Sequence, residues 1–257
     1  MLCLATLVAA GCSSDSGKPA DQPTWIDEEV TFTADGLTLH GTYRHRAEDR
    51  PAPASLLISE SGNTDRNGDN KVAGPIGNMR QLAELLSDRG VATLRYDKVG
   101  TGKTGLGPFK PDDVVSGVYT SGAKAALRFL ADRPATELAR LSVYALGEGT
   151  VHALALAGDT APDAPKVHSL GLFQPLPGRY LDIITDRVKA DGKPETVAAW
   201  QAAVDQIRTQ GTVPDKLPDG LNAIVNPGNL KAVIAADKID PPALAAAGPA
   251  GTPVLLT

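Results

Sequence analysis

The stretch Leu141-Ser142-Val143-Tyr144-Ala145-Leu146-Gly147-Glu148-Gly149-Thr150 decides the fold of this chain. Its first six residues mix apolar, aromatic and β-branched side chains over the length of a short buried strand. Gly147 and Gly149 then punctuate the run, and residues 151–158 (VHALALAG) read as a helix. A strand that turns into a helix within three residues needs a backbone that reverses sharply and passes close to its neighbours, which small residues allow.

Working outward, the same alternation recurs. Residues 54–59 (ASLLIS) read as a buried strand. Met79, Leu82, Leu85 and Leu86 share one helical face that Gly90 closes, and residues 91–96 form the next strand. Val115, Val118, Gly122, Ala126, Phe129 and Leu130 share another face, predicting a long helix over 112–132, and residues 167–173 give a further strand. Strands and helices in alternation imply parallel strands joined by right-handed crossovers, with helices on both faces of the sheet. Ahead of them, residues 30–33 and 37–44 alternate around Asp35-Gly36, the signature of an edge hairpin.

Three further segments give the pattern a family likeness. Glu60-Ser61-Gly62-Asn63-Thr64-Asp65-Arg66-Asn67-Gly68 resembles the G-S-G-x-T-D-R-x-G oxyanion-hole loop of the α/β-hydrolase family, in its ester- and peptide-cleaving branch. Leu94-Arg95-Tyr96-Asp97-Lys98-Val99-Gly100-Thr101-Gly102 is similar to that branch's R-Y-D-x-R-G-x-G segment, and the 145–149 turn has the layout of its G-x-S-x-G nucleophile elbow. The likeness extends over residues 30–257. It implies a three-layer α/β-hydrolase fold with a mostly parallel sheet, an N-terminal β-hairpin and a helical cap inserted at 178–235. That insertion is where the strand-helix alternation gives way to two helical pieces split at 192–194 and then a Pro/Gly-rich stretch. Residues 253–257 are expected to begin a buried strand.

The departures from the family pattern gather at its chemical centre. Glu60 stands where the pattern has glycine, Val99 where it has arginine, and Gly147 where it has the nucleophilic serine. The family's acid and histidine follow the strand that begins at Pro253, so by the resemblance both would fall beyond Thr257, with the C-terminal part of the fold missing. No catalytic residue is therefore assignable. What the likeness does offer is a pair of oxyanion-hole candidates, the backbone N–H groups of Ser61 and Glu148, whose role does not depend on the side chain. Ser59 and Ser61 are the hydroxyls nearest the elbow, and the sequence supplies no base for either.

Other motifs are absorbed by plainer readings. Residues 97–104 (DKVGTGKT) end like a phosphate loop but begin with Asp97 where glycine is required, so no nucleotide partner is expected. Asn63 to Asp69 alternate oxygen ligands like a calcium loop, yet the twelfth position is Gly74 rather than a bidentate glutamate, and Asp65 and Asn67 read instead as tying down backbone amides. No metal and no cofactor are expected. His40, His45, His152 and His168 all fall away from the strand ends where a catalytic histidine would need to approach a nucleophile to about 3 Å.

At 257 residues, with 42% hydrophobic and 21% charged residues, the chain is long enough for one sizeable domain. A net charge of −5 with no basic run excludes nucleic acid as an expected partner, and 4% aromatic residues leave little for a sugar- or base-stacking platform. Both cysteines, Cys3 and Cys12, precede the predicted fold. Residues 2–10 form an apolar run too short to cross a bilayer, which takes about 20 residues, and Ala9-Ala10-Gly11-Cys12 resembles a bacterial lipobox. The expected organisation is a signal peptide at 1–11, a lipidated Cys12 with a flexible tether at 12–27, and the domain at 28–257. The chain is thus expected to be exported and held at a bacterial cell membrane or outer membrane surface by its lipid. Its expected partner is a small acyl or ester-like ligand, with catalysis impaired at Gly147. Two other readings stand beside that one: an active hydrolase of ester or amide bonds with a non-standard or incomplete triad, and a scaffold with an empty pocket.

Overall fold

The computed structural model describes residues 24–48, 50–218 and 220–257; the expected signal peptide and Cys12 lie outside them. A seven-stranded sheet runs through the domain: β1 (Trp25–Ala34), β2 (Leu37–Arg46), β3 (Ala52–Ile58), β4 (Ala92–Tyr96), β5 (Thr136–Leu146), β6 (Ser169–Phe173) and β7 (Val254–Leu256). Their spatial order is β1-β2-β4-β3-β5-β6-β7. The first two strands are antiparallel to each other and β2 is antiparallel to β4, whereas β4, β3, β5, β6 and β7 run parallel. The hairpin turns at Asp35 and Gly36, both with positive φ (48° and 74°), the geometry that makes Asp-Gly a favoured two-residue turn.

Helices α1 (Asn78–Ser87), α2 (Ser116–Ala131) and α3 (Gly149–Ala157) are the crossovers between the parallel strands. One core holds the sheet to α2 and α3, with Leu56, Ile58, Leu94, Leu127, Leu130, Leu141 and Val143 buried, while Leu57, Met79 and Ala83 form a smaller cluster under α1 on the opposite face. This is the three-layer arrangement read from the sequence. After β6 come α4 (Tyr180–Asp191), α5 (Pro194–Gln210), the single turn α6 (Leu221–Ile224) and α7 (Leu230–Asp237), which build a separate core around the fully buried Trp200 with Leu181, Val204, Ile207 and Val225. A short α8 (Pro241–Ala246) leads to β7.

Four expectations are corrected. The ordered sheet starts at Trp25, inside the stretch assigned to the tether, because Trp25, Ile26 and Asp27 pair with Arg46, His45 and Arg44 and the acidic side chains meet basic ones across the strand. The long helix begins at Ser116, not 112: a 3-10 turn at Pro111–Asp113 and extended backbone at Val114 and Val115 come first. Leu85 is exposed, since the buried face of α1 is Met79, Ala83 and Ser87. Finally, the β7 side chains are more than half exposed, because β7 is the edge strand and only β6 pairs with it.

Candidate ligand site at the strand ends

The elbow turns β5 into α3 through a left-handed residue at its tip. Gly147 lies at φ +56°, a region that strains any side-chain-bearing residue, and its N–H donates to the Phe173 carbonyl at 3.0 Å. Its own carbonyl accepts from the Thr150 N–H (3.1 Å) and hydroxyl (2.6 Å), which close the first turn of α3. Two positions on, glycine is demanded by contact: a Cβ on Gly149 would stand 2.8 Å from both the Ile58 and Ser59 carbonyl oxygens. At Gly147 the space is open, since a Cβ there would meet only Glu60, its Cβ at 3.4 Å and its Cα at 3.9 Å. Glycine at 147 therefore removes strain without filling or collapsing the place where a side chain would stand.

Facing the elbow, the oxyanion-type loop is held by buried charge. Lys98, 6% exposed, sends its ammonium up from the end of β4 to the Ser59 hydroxyl (2.6 Å), the Ser59 carbonyl (3.3 Å) and the Glu60 carbonyl. Burial pushes the Lys98 pKa down to about 8, against the opposing pull of Glu148, Glu60, Asp97 and Asp65. Next to it, Asp97 is 2% exposed and accepts from the Arg66 backbone N–H (2.8 Å), the Arg66 guanidinium (3.1 Å) and the Lys103 N–H (2.9 Å). Arg66 also reaches Glu29 and Thr42 at 3.0 Å, so the hairpin, loop and β4 share one polar lattice. Asp65 ties down the Asn67 and Asp69 amides as expected, while the Asn67 side chain accepts instead from Arg95 Nε at 3.2 Å.

Between loop and elbow lies a cavity of about 210 Å³, and it brings together the three positions singled out in the sequence, Ser61, Gly147 and Glu148. Neither the Ser61 nor the Glu148 backbone N–H donates to an acceptor among the described residues. Glu60, Ser116 and Val151 complete the floor, and Leu176, Gly178, Tyr180, Ala236, Ile239 and Pro241 form the other walls, so the 178–235 insertion and the residues just after it border the site. Burial raises the Glu148 pKa, with Lys98 pulling it back, and the Glu148 charge in turn helps raise the phenols of Tyr119 and Tyr180.

The remaining candidates are placed elsewhere. His152 is buried under the elbow on α3, its Nδ1 2.9 Å from the Thr120 hydroxyl, and desolvation first and Lys98 second hold its pKa down to about 4. Thr120 gives its own hydrogen to the Ser116 carbonyl (3.1 Å), so His152 is the donor to Thr120. His45 stacks on Tyr43, and His40 sits on β2. The sequence offers no partner for the Ser59 hydroxyl; the structure gives it the Lys98 ammonium at 2.6 Å. Ser59 is only 3% exposed, however, and Lys98 meets it as a donor shared with three carbonyls. Nothing in the sequence marks Lys98 as buried, because a lysine between Asp97 and Val99 at a strand end reads as a solvated charge.

No protein-family model matches the sequence, and no curated protein matches it. Among solved structures the chain is similar to the α/β hydrolase GrgF from a Penicillium species (TM-score 0.56, 16% identity, 91% of this chain and 79% of that one). It is also similar to a hypothetical protein from Pseudomonas aeruginosa (0.55, 14%, 98% and 91%) and to an esterase from Pyrococcus furiosus (0.54, 16%, 90% and 69%). The chain spans under half the length of the esterase Est22 chains it also matches. At these identities the likeness establishes architecture: the chain has the α/β-hydrolase fold.

Proposed function

We propose that this is an exported, lipid-anchored protein of α/β-hydrolase fold, related to carboxylic-ester hydrolases, that binds a small acyl or ester-like ligand and is catalytically impaired. One observation carries the reading: the cavity is bordered by Ser61 and Glu148, whose N–H groups donate to no acceptor among the described residues, and by an elbow in left-handed geometry whose tip, Gly147, bears no side chain. A carbonyl oxygen can be bound there, and no hydroxyl stands at the tip to attack its carbon. The size of the deficit follows from serine proteases, where deleting the triad serine lowers kcat by about a millionfold. Residues 2–12 support the anchor, and incorporation of labelled palmitate that is lost in Cys12→Ala would test it.

The deciding experiment exposes the purified domain to a fluorophosphonate probe and to p-nitrophenyl butyrate, with butyramide as a non-reactive ligand in a thermal-shift assay. The expected result is no labelling, no turnover above buffer and a dose-dependent rise in Tm with butyramide. Strong labelling would sink the loss of the nucleophile, and an absent thermal shift would favour the empty scaffold. A second reading, an active hydrolase with a non-standard nucleophile, is favoured by the 2.6 Å contact of Lys98 with Ser59. It predicts turnover that disappears in Ser59→Ala.

A further inference from the structure

Two departures from the hydrolase pattern, far apart in the chain, meet in space. The Cβ of Glu60, where the pattern has glycine, lies 3.4 Å from the point where a side chain at Gly147 would begin. The wall that a serine would face is thus the stem of a carboxylate. Glu148 lines the same cavity, so two carboxylates border it, and no basic side chain does. The nearest cation, Lys98, is buried beneath the loop with its ammonium directed to Ser59 and the Glu60 carbonyl. Its influence reaches Glu148 through space only, as does that of Arg187 on Tyr180. Even with Lys98 counted, the site holds one carboxylate in excess, among walls such as Val151, Leu176 and Ile239 that screen it poorly.

Resting on the reading of this cavity as an acyl-ligand site, we propose that it selects ligands bearing a positive charge beside the acyl group, with Glu60 and Glu148 as the specificity-determining side chains. An ammonium placed between them completes the charge balance that the protein leaves open. Burial raises the Glu148 pKa and an ammonium beside it works against that rise, so binding weakens as pH falls through the Glu148 titration. The groups facing Glu148 are Glu60 on the loop, Tyr119 on α2, Tyr180 on α4 and Lys98 at the end of β4. Lys98 has a pKa of about 8, and its loss of charge at higher pH favours the cation further.

The test is calorimetric titration of the whole protein at pH 7 with butyrylcholine and with its uncharged carbon isostere, 3,3-dimethylbutyl butyrate. The charged ligand is expected to bind about tenfold tighter, the scale of one partly desolvated charge pairing. The ratio of the two affinities, measured within each variant, should fall toward unity in Glu60→Gln and Glu148→Gln, which guards against a variant that is merely less stable. Equal affinity in the parent protein, or a preference that survives both substitutions together, overturns the charge selection while leaving the acyl site standing. Binding by neither ligand overturns the acyl site and the selection with it.

Discussion

The two walls of the cavity are held in place by opposite means. The 60–70 loop is fixed by buried charge: Lys98 gathers carbonyls from below, and Asp97 and Arg66 lock the loop to the hairpin. The 145–149 elbow has no such lattice; it is fixed by the absence of side chains, with Gly149 pressed against two carbonyl oxygens and Gly147 relaxed in a left-handed turn. Charge lattices are specific but intolerant, since removing one member strands the rest. A glycine turn fails only when something is added to it. The contrast explains how position 147 can lack a side chain while the surrounding architecture remains.

Substitution on the loop side should do the most damage. Asp97→Asn leaves the buried Arg66 guanidinium with Glu29 as its ion-pair partner, and breaking a buried pair costs about 3–5 kcal/mol; urea unfolding should show a loss near the lower end because Glu29, Thr42 and the new amide oxygen still accept from it. Next comes the pH response of the helix behind the elbow. His152 is held down to about 4 from an ordinary 6.5, so between those values the unfolded chain takes up a proton that the folded chain refuses. Stability should fall by about 1.4 kcal/mol per unit as pH drops through that window, and the slope should flatten in His152→Gln.

The elbow itself offers the sharpest contrast. Gly149→Ala drives a methyl into the end of β3, an overpacking that costs about 1–3 kcal/mol. Gly147→Ser meets only ordinary contact with Glu60 and should cost about 1 kcal/mol, the lower end of the strain of a left-handed residue. Chemical denaturation of both proteins checks the order, and a Gly147→Ser variant less stable than Gly149→Ala would break the account of the elbow.

Much of this architecture was legible in the sequence because it is written in local signals. Asp35-Gly36 announces the hairpin, and Gly147 to Gly149 after a β-rich run announces the elbow. Three features were not legible, each because its meaning lies in a distant partner. Residues 25–27 read as the end of a tether until Asp27 is seen against Arg44. Lys98 reads as a surface charge until its acceptors arrive from the 59–64 segment. Glu60 reads as an isolated departure from a pattern, and only folding sets it against Gly147.

The second core, around Trp200, is knotted by Asp237, which accepts from the Leu181 N–H, Arg179 and Arg208 and so binds three helices at one buried carboxylate. A roof that carries its own keystone can be altered as a unit. Residues on its cavity side, such as Tyr180 and Ala236, are open to exchange through evolution or by design while the sheet below is left alone. In this protein the shape of the cavity and the endurance of the fold are thereby entrusted to different parts of the chain.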